Sequence, residues 1–290
     1  MDKDTPAQKS GEFSIGNDLR VHRLGYGAMR ITGKGIWGEP ADRAEAIRVL
    51  RRAVELGIDF IDTADSYGPH VSEEIIAEAL HPYPAGLVIA TKGGFDRPGP
   101  DKWVENGKPE HLRSACEGSL RRLRLERIDL YQLHRIDPKV AAEDQLGTLK
   151  DLQAQGKIKH IGLSEVNVRQ IQHAQAIVPI VSVQNRYSVT DRGSEEVLEY
   201  CEREQIGFIP WFPLAAGKLS GAASPINRVA VRLKATPSQV ALAWLLARSP
   251  VMLPIPGTSS VKHLEENVAA AALKMDENAM QELGEMVGAR

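Results

Sequence analysis

The stretch FIDTADSYG, from Phe60 to Gly68, decides which fold this chain adopts. A short apolar run, typical of a β-strand buried on both faces, gives way to polar residues, with Asp62 and Tyr67 at and just beyond the strand end. Two later runs end in the same way: LVIATKGG (Leu87 to Gly94) with Lys92, and IDLYQLHRI (Ile128 to Ile136) with His134. In a parallel α/β barrel the carboxyl ends of the strands meet on one face, so we expect these four side chains to lie together there.

An apolar run followed by a helical pattern occurs eight times along the chain. Helices are predicted where apolar residues recur at helical spacing, as in Ala41 to Gly57, Pro109 to Leu125, Glu143 to Lys157 and Thr236 to Ser249. The predicted strands are short and rich in Val, Ile and Leu: Arg23 to Met29, Asp59 to Ala64, Leu87 to Lys92, Ile128 to His134, His160 to Glu165, Ile180 to Asn185, Ile206 to Trp211 and Val251 to Gly257.

Eight strands alternating with helices allow either a closed barrel or a doubly wound sheet. A doubly wound dinucleotide-binding sheet should carry G-x-G-x-x-G after its first strand, whereas the segment from Gly25 to Arg30 lacks the last glycine. We therefore predict an α/β fold of the (β/α)8 TIM barrel type, in one domain over residues 1–290. The turn from Gly16 to Asp18 predicts an N-terminal hairpin, and residues 261–287 predict two extra C-terminal helices.

Composition excludes several classes of protein. The 290 residues are 42% hydrophobic and 26% charged with a net charge of −2, which does not indicate nucleic-acid or membrane binding. No apolar run is long enough for a transmembrane helix, and the N-terminus lacks the apolar core of a signal peptide. The two cysteines, Cys116 and Cys201, form no metal-binding spacing and no disulfide framework, so we expect a cytoplasmic location and no metal.

Six separated motifs resemble those of the aldo-keto reductases, in the same order and at similar spacing. The resemblance runs from about Arg23 to the C-terminus, and the start RLGYGAM and the end IPGTSSVKHLEEN are most similar to the bacterial pyridoxal reductase (pyridoxine 4-dehydrogenase) branch. It implies a barrel with a hairpin closing its bottom and with NADPH bound at the top face. The motifs are FIDTADSYG, IATKGG, IDLYQLH, HIGLSEVN, VQNRY and IPGTSSVKHLEENV.

The resemblance also implies a role for each of the four converging residues. Tyr67 is the expected general acid, and its hydroxyl, with an ordinary pKa of about 10, needs a nearby cation to give up a proton at neutral pH. Lys92 is the expected cation, Asp62 the carboxylate that holds it, and His134 the residue that orients the substrate carbonyl. A bound cofactor would supply the hydride.

Cofactor contacts are carried over from the same motifs. Ser164 and Gln184 match the residues that bind the nicotinamide carboxamide, and Trp211 occupies the place of a stacking aromatic residue that is usually Tyr. Glu165 stands where Asn is usual. The cofactor set implied by the resemblance is Gly27, Ala28, Met29, Asp62, Ser164, Glu165, Gln184, Trp211, Pro213, Leu214, Gly217, Leu219, Gly257, Thr258, Ser259, His263, Glu266 and Asn267.

The segment that binds the adenosine end departs from the family pattern. Many members carry Lys or Arg at the position of Gly257 and Arg at the position of His263. The hydroxyls of Thr258 and Ser259, the helix N-terminus after them, and Lys262 still offer ligands for a phosphate. NADPH is the expected cofactor, and use of NADH stays open.

The leading functional prediction is reduction of an aldehyde or ketone to an alcohol, with pyridoxal as one candidate. The expected substrate contacts are Arg30, Trp37, Tyr67, His134 and Arg135, and the expected partner is a small carbonyl compound. Two alternatives stay open. One is a redox-sensing, NADPH-binding regulatory subunit, and the other is an NAD-dependent sugar or polyol dehydrogenase.

Overall fold

Strands and helices alternate along the chain in a computed structural model that describes residues 5–214 and 224–287. The strands are β1 (Glu12–Ile15), β2 (Leu19–His22), β3 (Tyr26–Gly27), β4 (Phe60–Asp62), β5 (Val88–Gly93), β6 (Phe95–Gly99), β7 (Lys102–Glu105), β8 (Ile128–Leu133), β9 (Ile158–Ser164), β10 (Ile180–Gln184) and β11 (Gly207–Phe208). The helices are α1 (Arg43–Glu55), α2 (Val71–Leu80), α3 (Pro109–Leu123), α4 (Ala142–Ala154), α5 (Val168–Gln175), α6 (Glu195–Arg203), α7 (Pro225–Leu233), α8 (Pro237–Arg248), α9 (Val261–Ala269) and α10 (Glu277–Gly284).

Seven parallel strands form a curved sheet in the order β3-β4-β5-β8-β9-β10-β11. Residues 251–255 close it. Phe208 of β11 pairs with Met252 in a parallel bridge, and the amide of Gly25, just before β3, donates to the carbonyl of Pro254 at 3.0 Å. The predicted (β/α)8 barrel is therefore confirmed.

The eighth strand is weaker than the sequence predicts. Pro254 and Pro256 have no backbone N–H, so the segment cannot form a full ladder with either neighbour. The first strand is also shorter than predicted, because the chain turns into a short 3-10 helix over Ala28–Ile31 directly after β3.

The predicted N-terminal hairpin, β1 and β2, closes the bottom of the barrel. Ile15, Leu19 and Val21 pack in one buried cluster with residues that point into the barrel, including Phe60 and Leu130. Each such side chain contributes about 1.5–3 kcal/mol when it is fully buried. The hairpin therefore fills the end of the barrel opposite the ends of the strands where the polar residues lie.

Helix α1 shows why the outer helices form where the sequence predicts. Asp42 caps its N-terminus by accepting a hydrogen bond from the amide of Glu45 at 2.8 Å. Its apolar residues recur on one face and are buried against the barrel: Ala46, Val49, Leu50 and Ala53. None of the helices in the described ranges is long and apolar enough to cross a membrane.

A second hairpin, β6 and β7, lies between β5 and α3 and was not predicted. Its segment contains Pro98, Gly99 and Pro100, which indicate a loop when no tertiary partner is known. The hairpin folds over the top of the barrel and brings Phe95, Trp103 and Glu105 to the wall of the main cavity. It therefore supplies part of the candidate site.

Candidate active site

The four residues singled out from the sequence converge at the top of the barrel. Asp62 ends β4, Lys92 lies in β5, His134 follows β8, and Tyr67 lies in the loop after β4. Lys92 is fully buried, and its Nζ is 2.6 Å from Oδ2 of Asp62. A buried ion pair of this kind is strongly destabilised when one partner is removed, so each residue of the pair needs the other.

Asp62 is held from several directions. Its Oδ1 accepts hydrogen bonds from Nε2 of Gln132 at 2.9 Å and from Nε2 of Gln184 at 2.8 Å. Lys92 also donates to the carbonyl of Thr63 at 2.8 Å. Because these groups are buried and satisfied within the protein, the carboxylate and the ammonium are fixed before any ligand binds.

Tyr67 lies beside this pair, with Nζ of Lys92 5.2 Å from the centre of its ring. Burial raises the pKa of the Tyr67 hydroxyl above its ordinary value, and the charge of Lys92 acts in the opposite direction without reversing the shift. The sequence-based expectation of a lowered pKa is therefore not met, because desolvation penalises the phenolate more than Lys92 stabilises it.

Lys92 itself is cationic. Burial acts to lower the pKa of Lys92, but the charge of Asp62 and its hydrogen bond to Nζ outweigh this effect, and the pKa of Lys92 is raised above the ordinary value.

His134 is neutral at physiological pH. Burial, together with the charges of Lys92, Arg135 and Arg97, holds the pKa of His134 well below its ordinary value. Its Nδ1 is 3.3 Å from Oγ of Ser66. A neutral imidazole carries one N–H and one acceptor nitrogen, so His134 can position a carbonyl oxygen without competing with Tyr67 as an acid.

An open cavity of about 720 Å³ lies above these residues. Among the predicted substrate contacts, Tyr67, His134, Arg30 and Arg135 line it, and Trp37 does not. The Trp37 ring instead lies under the guanidinium of Arg97, at 5.7 Å. The predicted cofactor contacts that line the cavity are Gly27, Met29, Asp62, Ser164, Gln184, Trp211, Pro213, Leu214 and Gly257.

Aromatic rings surround the mouth of the cavity next to Tyr67. Trp103 lies edge-on to Tyr67 at 6.4 Å between ring centres, and Phe95 lies edge-on to His134 at 4.7 Å. The guanidinium of Arg97 lies 3.7 Å from the centre of the Trp103 ring. These contacts hold the second hairpin in place above Tyr67.

Arg135 and Ser164, predicted as substrate and cofactor contacts, bind each other. Nη1 of Arg135 donates to Oγ of Ser164 at 3.0 Å and to the carbonyl of His134 at 2.6 Å. The side chain of Arg135 is therefore anchored to the barrel, with its guanidinium 5.5 Å from the centre of the Phe95 ring.

Glu165 and Trp211, the two departures from the family pattern among the predicted nicotinamide contacts, are hydrogen-bonded to each other. Oε1 of Glu165 accepts from Nε1 of Trp211 at 2.6 Å and from the amide of Arg186 at 2.6 Å. Trp211 lines the cavity, whereas Glu165 is exposed to solvent and does not line it. Glu165 therefore orients the ring rather than facing the cavity itself.

Gly257 has a steric reason to be glycine. A Cβ at this position would lie 2.7 Å from the carbonyl oxygen of Gly27, so a Lys or Arg side chain cannot be placed there without moving the backbone. The Cγ atom of Arg30 lies 3.4 Å from that same position. Within residues 5–214 and 224–287, Arg30 forms no ion pair, and it lines the cavity at this point.

The phosphate ligands predicted just after Gly257 are partly engaged elsewhere. Thr258 is buried, and its Oγ1 accepts from the amide of Ser260 at 3.2 Å. The first amide of α9, at Val261, donates to Oε1 of Glu45 at 3.1 Å. A carboxylate therefore already caps the helix N-terminus that was expected to bind a phosphate.

The remaining predicted cofactor residues lie at different depths. Ser259 and His263 are exposed, whereas Ala28 and Asn267 are buried and Glu266 is half-buried. The carbonyl of Ala28 accepts from Ser72, which ties the residue to α2. Gly217 and Leu219 lie outside the described residues.

Sequence reasoning missed Gln132 as part of the site. It precedes His134 by two residues, and alternate residues of a strand face the same side, so its position in IDLYQLH contained the signal. Phe95 and Glu105 were also missed, because their hairpin was not predicted. No group of three or more His, Cys, Asp or Glu side chains in the described ranges is arranged to hold a metal ion.

Known proteins resemble this chain in sequence and in structure. It is 51% identical over 279 residues to an uncharacterised oxidoreductase from Schizosaccharomyces pombe, covering 96% of this chain and 90% of that protein. It is 43% identical over 280 residues to pyridoxine 4-dehydrogenase from Escherichia coli, covering 94% and 97%. This similarity agrees with the branch that the sequence motifs indicate.

Solved structures resemble it over nearly their full length. A glycerol dehydrogenase from Gluconobacter oxydans has a TM-score of 0.87 at 25% identity, covering 96% of this chain and 95% of that one. An aldo-keto reductase from Klebsiella pneumoniae in complex with NADP and acetate has a TM-score of 0.80 at 26% identity, covering 96% of each. The sequence profile of the aldo/keto reductase family matches residues 23–287. The chain therefore belongs to the aldo/keto reductase family of oxidoreductases.

Proposed function

We propose that this protein reduces an aldehyde or ketone to an alcohol with NADPH, using Tyr67 as the general acid. The observation that carries the proposal is the buried Asp62–Lys92 pair beside Tyr67 at the floor of the cavity. Within the described ranges, the fully buried Lys92 forms an ion pair with Asp62 alone, and Asp62 is itself held by two glutamines. This arrangement directs the charge of Lys92 to one point, the Tyr67 hydroxyl.

Tyr67, Lys92 and His134 have different roles in the proposed proton transfer. Burial keeps Tyr67 protonated at neutral pH, so the acid is loaded when the substrate arrives. As the proton leaves for the carbonyl oxygen, Lys92 stabilises the phenolate that forms. His134, neutral, donates its N–H to the same oxygen and fixes its direction. The bound dinucleotide would supply the hydride to the carbonyl carbon.

The described residues fit a nicotinamide dinucleotide. One part of the cavity wall has a flat ring, Trp211, next to two hydrogen-bonding side chains, Ser164 and Gln184. Another part has the closely packed backbone of Gly27 and Gly257, with Arg30 above it. A planar ring with an amide suits the first, and an extended chain carrying phosphates suits the second.

NADPH is favoured over NADH by Arg30 and by the NADP found in complex with the Klebsiella pneumoniae neighbour. The side chain of Arg30 passes beside Gly257, with Cγ 3.4 Å from the place of a Cβ there, where other members of the family carry their basic side chain. Glu45 at the start of α9 acts against a phosphate, so the preference for NADPH is expected to be moderate.

A planar aromatic aldehyde is the substrate that the cavity suits best. Phe95, Trp103, Trp211 and Phe212 line it, and aromatic walls favour flat rings. Pyridoxal belongs to this class, and the similarity to the Escherichia coli pyridoxine 4-dehydrogenase supports it. The glycerol dehydrogenase neighbour favours oxidation of a polyol as the second candidate.

The test is a panel of carbonyl compounds and alcohols assayed with NADPH and with NADH. We expect turnover of pyridoxal with NADPH, and faster turnover of aromatic aldehydes than of short aliphatic ones. Faster oxidation of glycerol or another polyol with NAD⁺ would favour the second candidate. Tight NADPH binding without turnover of any carbonyl would instead favour a regulatory, redox-sensing protein.

A further inference from the structure

The Glu165–Trp211 pair forms a separate unit at the wall of the cavity. The indole Nε1 donates to Oε1 of Glu165 at 2.6 Å, and the ring itself lines the cavity. A charge-assisted hydrogen bond of this length fixes the plane of the ring. The pair joins two strands that are far apart in sequence, because Glu165 follows β9 and Trp211 follows β11.

The backbone holds Glu165 in a strained position. Its φ is 55°, in the left-handed region that favours glycine, and its amide donates to the carbonyl of Gln184 at 3.0 Å. The same Oε1 accepts the amide of Arg186 at 2.6 Å. Strain of this kind persists only where other contacts enforce it, and here the contacts aim a carboxylate at the indole.

The charge of Glu165 is not cancelled by a contact. Within the described ranges, Glu165 forms no ion pair with a basic side chain. Two guanidinium groups lie nearby. Arg186 lies over the Trp211 ring at 5.8 Å, but it pairs with Asp191 at 2.8 Å. Arg135 lines the cavity and donates to Ser164, and the charge of Glu165 acts to raise the pKa of Arg135 without forming an ion pair with it.

We propose that Glu165 and Trp211 favour the oxidised, cationic nicotinamide ring over the reduced, neutral ring. The face of an indole attracts cations, and a carboxylate bound to its N–H makes the ring richer in electrons. The negative charge also offsets Arg135, which would otherwise disfavour a cationic ring. This inference rests on the proposed function, since it needs a nicotinamide bound against Trp211.

The pair would then assist hydride transfer as well as binding. In the proposed reduction the carbonyl carbon receives the hydride, the carbonyl oxygen receives the Tyr67 proton, and the nicotinamide ring is left with one positive charge. A group that binds the cationic ring more tightly than the neutral one stabilises the transition state more than the ground state. Glu165 is therefore a positioning residue that acts through Trp211.

The test compares dissociation constants for NADP⁺ and NADPH by calorimetry, at one salt concentration, in the wild type and in Glu165→Gln. Gln keeps an acceptor for the indole N–H and removes the charge. We expect the ratio of the NADP⁺ constant to the NADPH constant to rise about 2- to 5-fold, the range for an exposed cation–π contact. Glu110→Gln, an exposed carboxylate in the first turn of α3, is the control and should leave the ratio unchanged.

A double-mutant cycle tests whether the charge of Glu165 acts through the indole N–H of Trp211. Trp211→Phe keeps an aromatic ring and removes the N–H, so Glu165→Gln should change the ratio less in that background than in the wild type. An unchanged ratio in Glu165→Gln, or equal weakening of both cofactor forms, overturns the inference. A wild-type protein that binds neither dinucleotide overturns the proposed function, and the inference with it.

Discussion

The floor of the cavity and the segment expected to bind the adenosine end of the cofactor differ in how strongly the protein itself fixes their side chains. At the floor, Asp62, Lys92 and Gln184 are buried, and Lys92 and Gln184 both donate to Asp62, so their geometry is complete within the protein. At the start of α9, Ser259 and His263 are exposed, and the first helical amide binds the carboxylate of Glu45. We therefore propose that the fold fixes the geometry at the floor, whereas the cofactor preference depends on a few charges around α9 and Gly257.

The largest effect is expected at the floor, from Tyr67→Phe. The variant removes the proton donor and keeps the ring that contacts Trp103 and His134, so turnover should fall about 10²- to 10⁴-fold. Cofactor affinity should stay within about 2-fold, because the hydroxyl is not expected to bind the dinucleotide. The measurements are kcat with NADPH and the NADPH dissociation constant. Tyr200→Phe, whose hydroxyl binds Gln175 on the outer helices, is the matched control. Near-native turnover in Tyr67→Phe would falsify the assignment of the acid.

Lys92→Met should damage both stability and chemistry. It leaves Asp62 buried without its cation, which costs about 3–5 kcal/mol of unfolding free energy, measured by urea denaturation. Because Lys92 lowers the pKa of Tyr67 against the effect of burial, its loss should raise that pKa further. Reduction needs the protonated hydroxyl, so the alkaline limb of kcat/KM should move to higher pH.

Asp62→Asn/Lys92→Met is the control for Lys92→Met, since it removes both charges and should recover part of the lost stability without restoring the rate. An unchanged pH profile in a folded Lys92→Met protein would show that Lys92 does not act on Tyr67.

Arg30→Ala tests the exposed charges above Gly257. We expect NADPH affinity to fall about 3- to 10-fold, because the contact is charge-assisted but partly solvated. A loss of affinity for NADPH alone would place the 2′-phosphate beside Arg30. An equal loss of affinity for NADPH and NADH would place the pyrophosphate there. Lys34→Ala, an exposed cation in the same loop but outside the cavity lining, should change neither constant. Unchanged affinity for both cofactors in Arg30→Ala would show that Arg30 binds no phosphate.

The smallest effect is expected from Glu45→Gln. The amide oxygen of Gln can still accept the Val261 amide, so α9 keeps its cap while the negative charge is lost. NADPH affinity should rise about 2- to 5-fold and NADH affinity should stay constant. The control is Glu74→Gln, which removes a carboxylate from the exposed surface of α2. Asp42 is not used as the control because it caps α1. An equal gain in affinity for NADPH and NADH would mean that Glu45 does not distinguish the two cofactors by repelling the 2′-phosphate.

Local pattern was enough to predict the barrel and the convergence of its polar residues. Eight apolar runs alternating with helical patterns leave few topologies, and parallel strands bring their ends to one face. Pairing across the barrel was not predictable in this way. Gln132 and Gln184 bind the same oxygen of Asp62 from strands about 70 and 122 residues later in the chain.

Two features of the sequence, Gly257 and the Glu165–Trp211 pair, are explained only by contacts between distant segments. The sequence alone indicates that a basic residue is missing at Gly257, whereas in the structure the carbonyl of Gly27 leaves no space for a side chain there. In the sequence, Glu165 and Trp211 are two separate departures from the family pattern, whereas in the structure they are joined by one hydrogen bond. Neither relation is visible from residue types, because it depends on how closely two strand ends approach.

By itself, the sequence determined the barrel, the bottom hairpin and the set of four residues at the strand ends, because strand and helix periodicity and strand direction are local properties. Only the tertiary structure decided the pKa direction of Tyr67, the second hairpin over the cavity, and the charges around Gly257 and α9. These depend on burial and on distances between segments far apart in the chain, and desolvation and Coulomb interaction follow those distances rather than the order of residues.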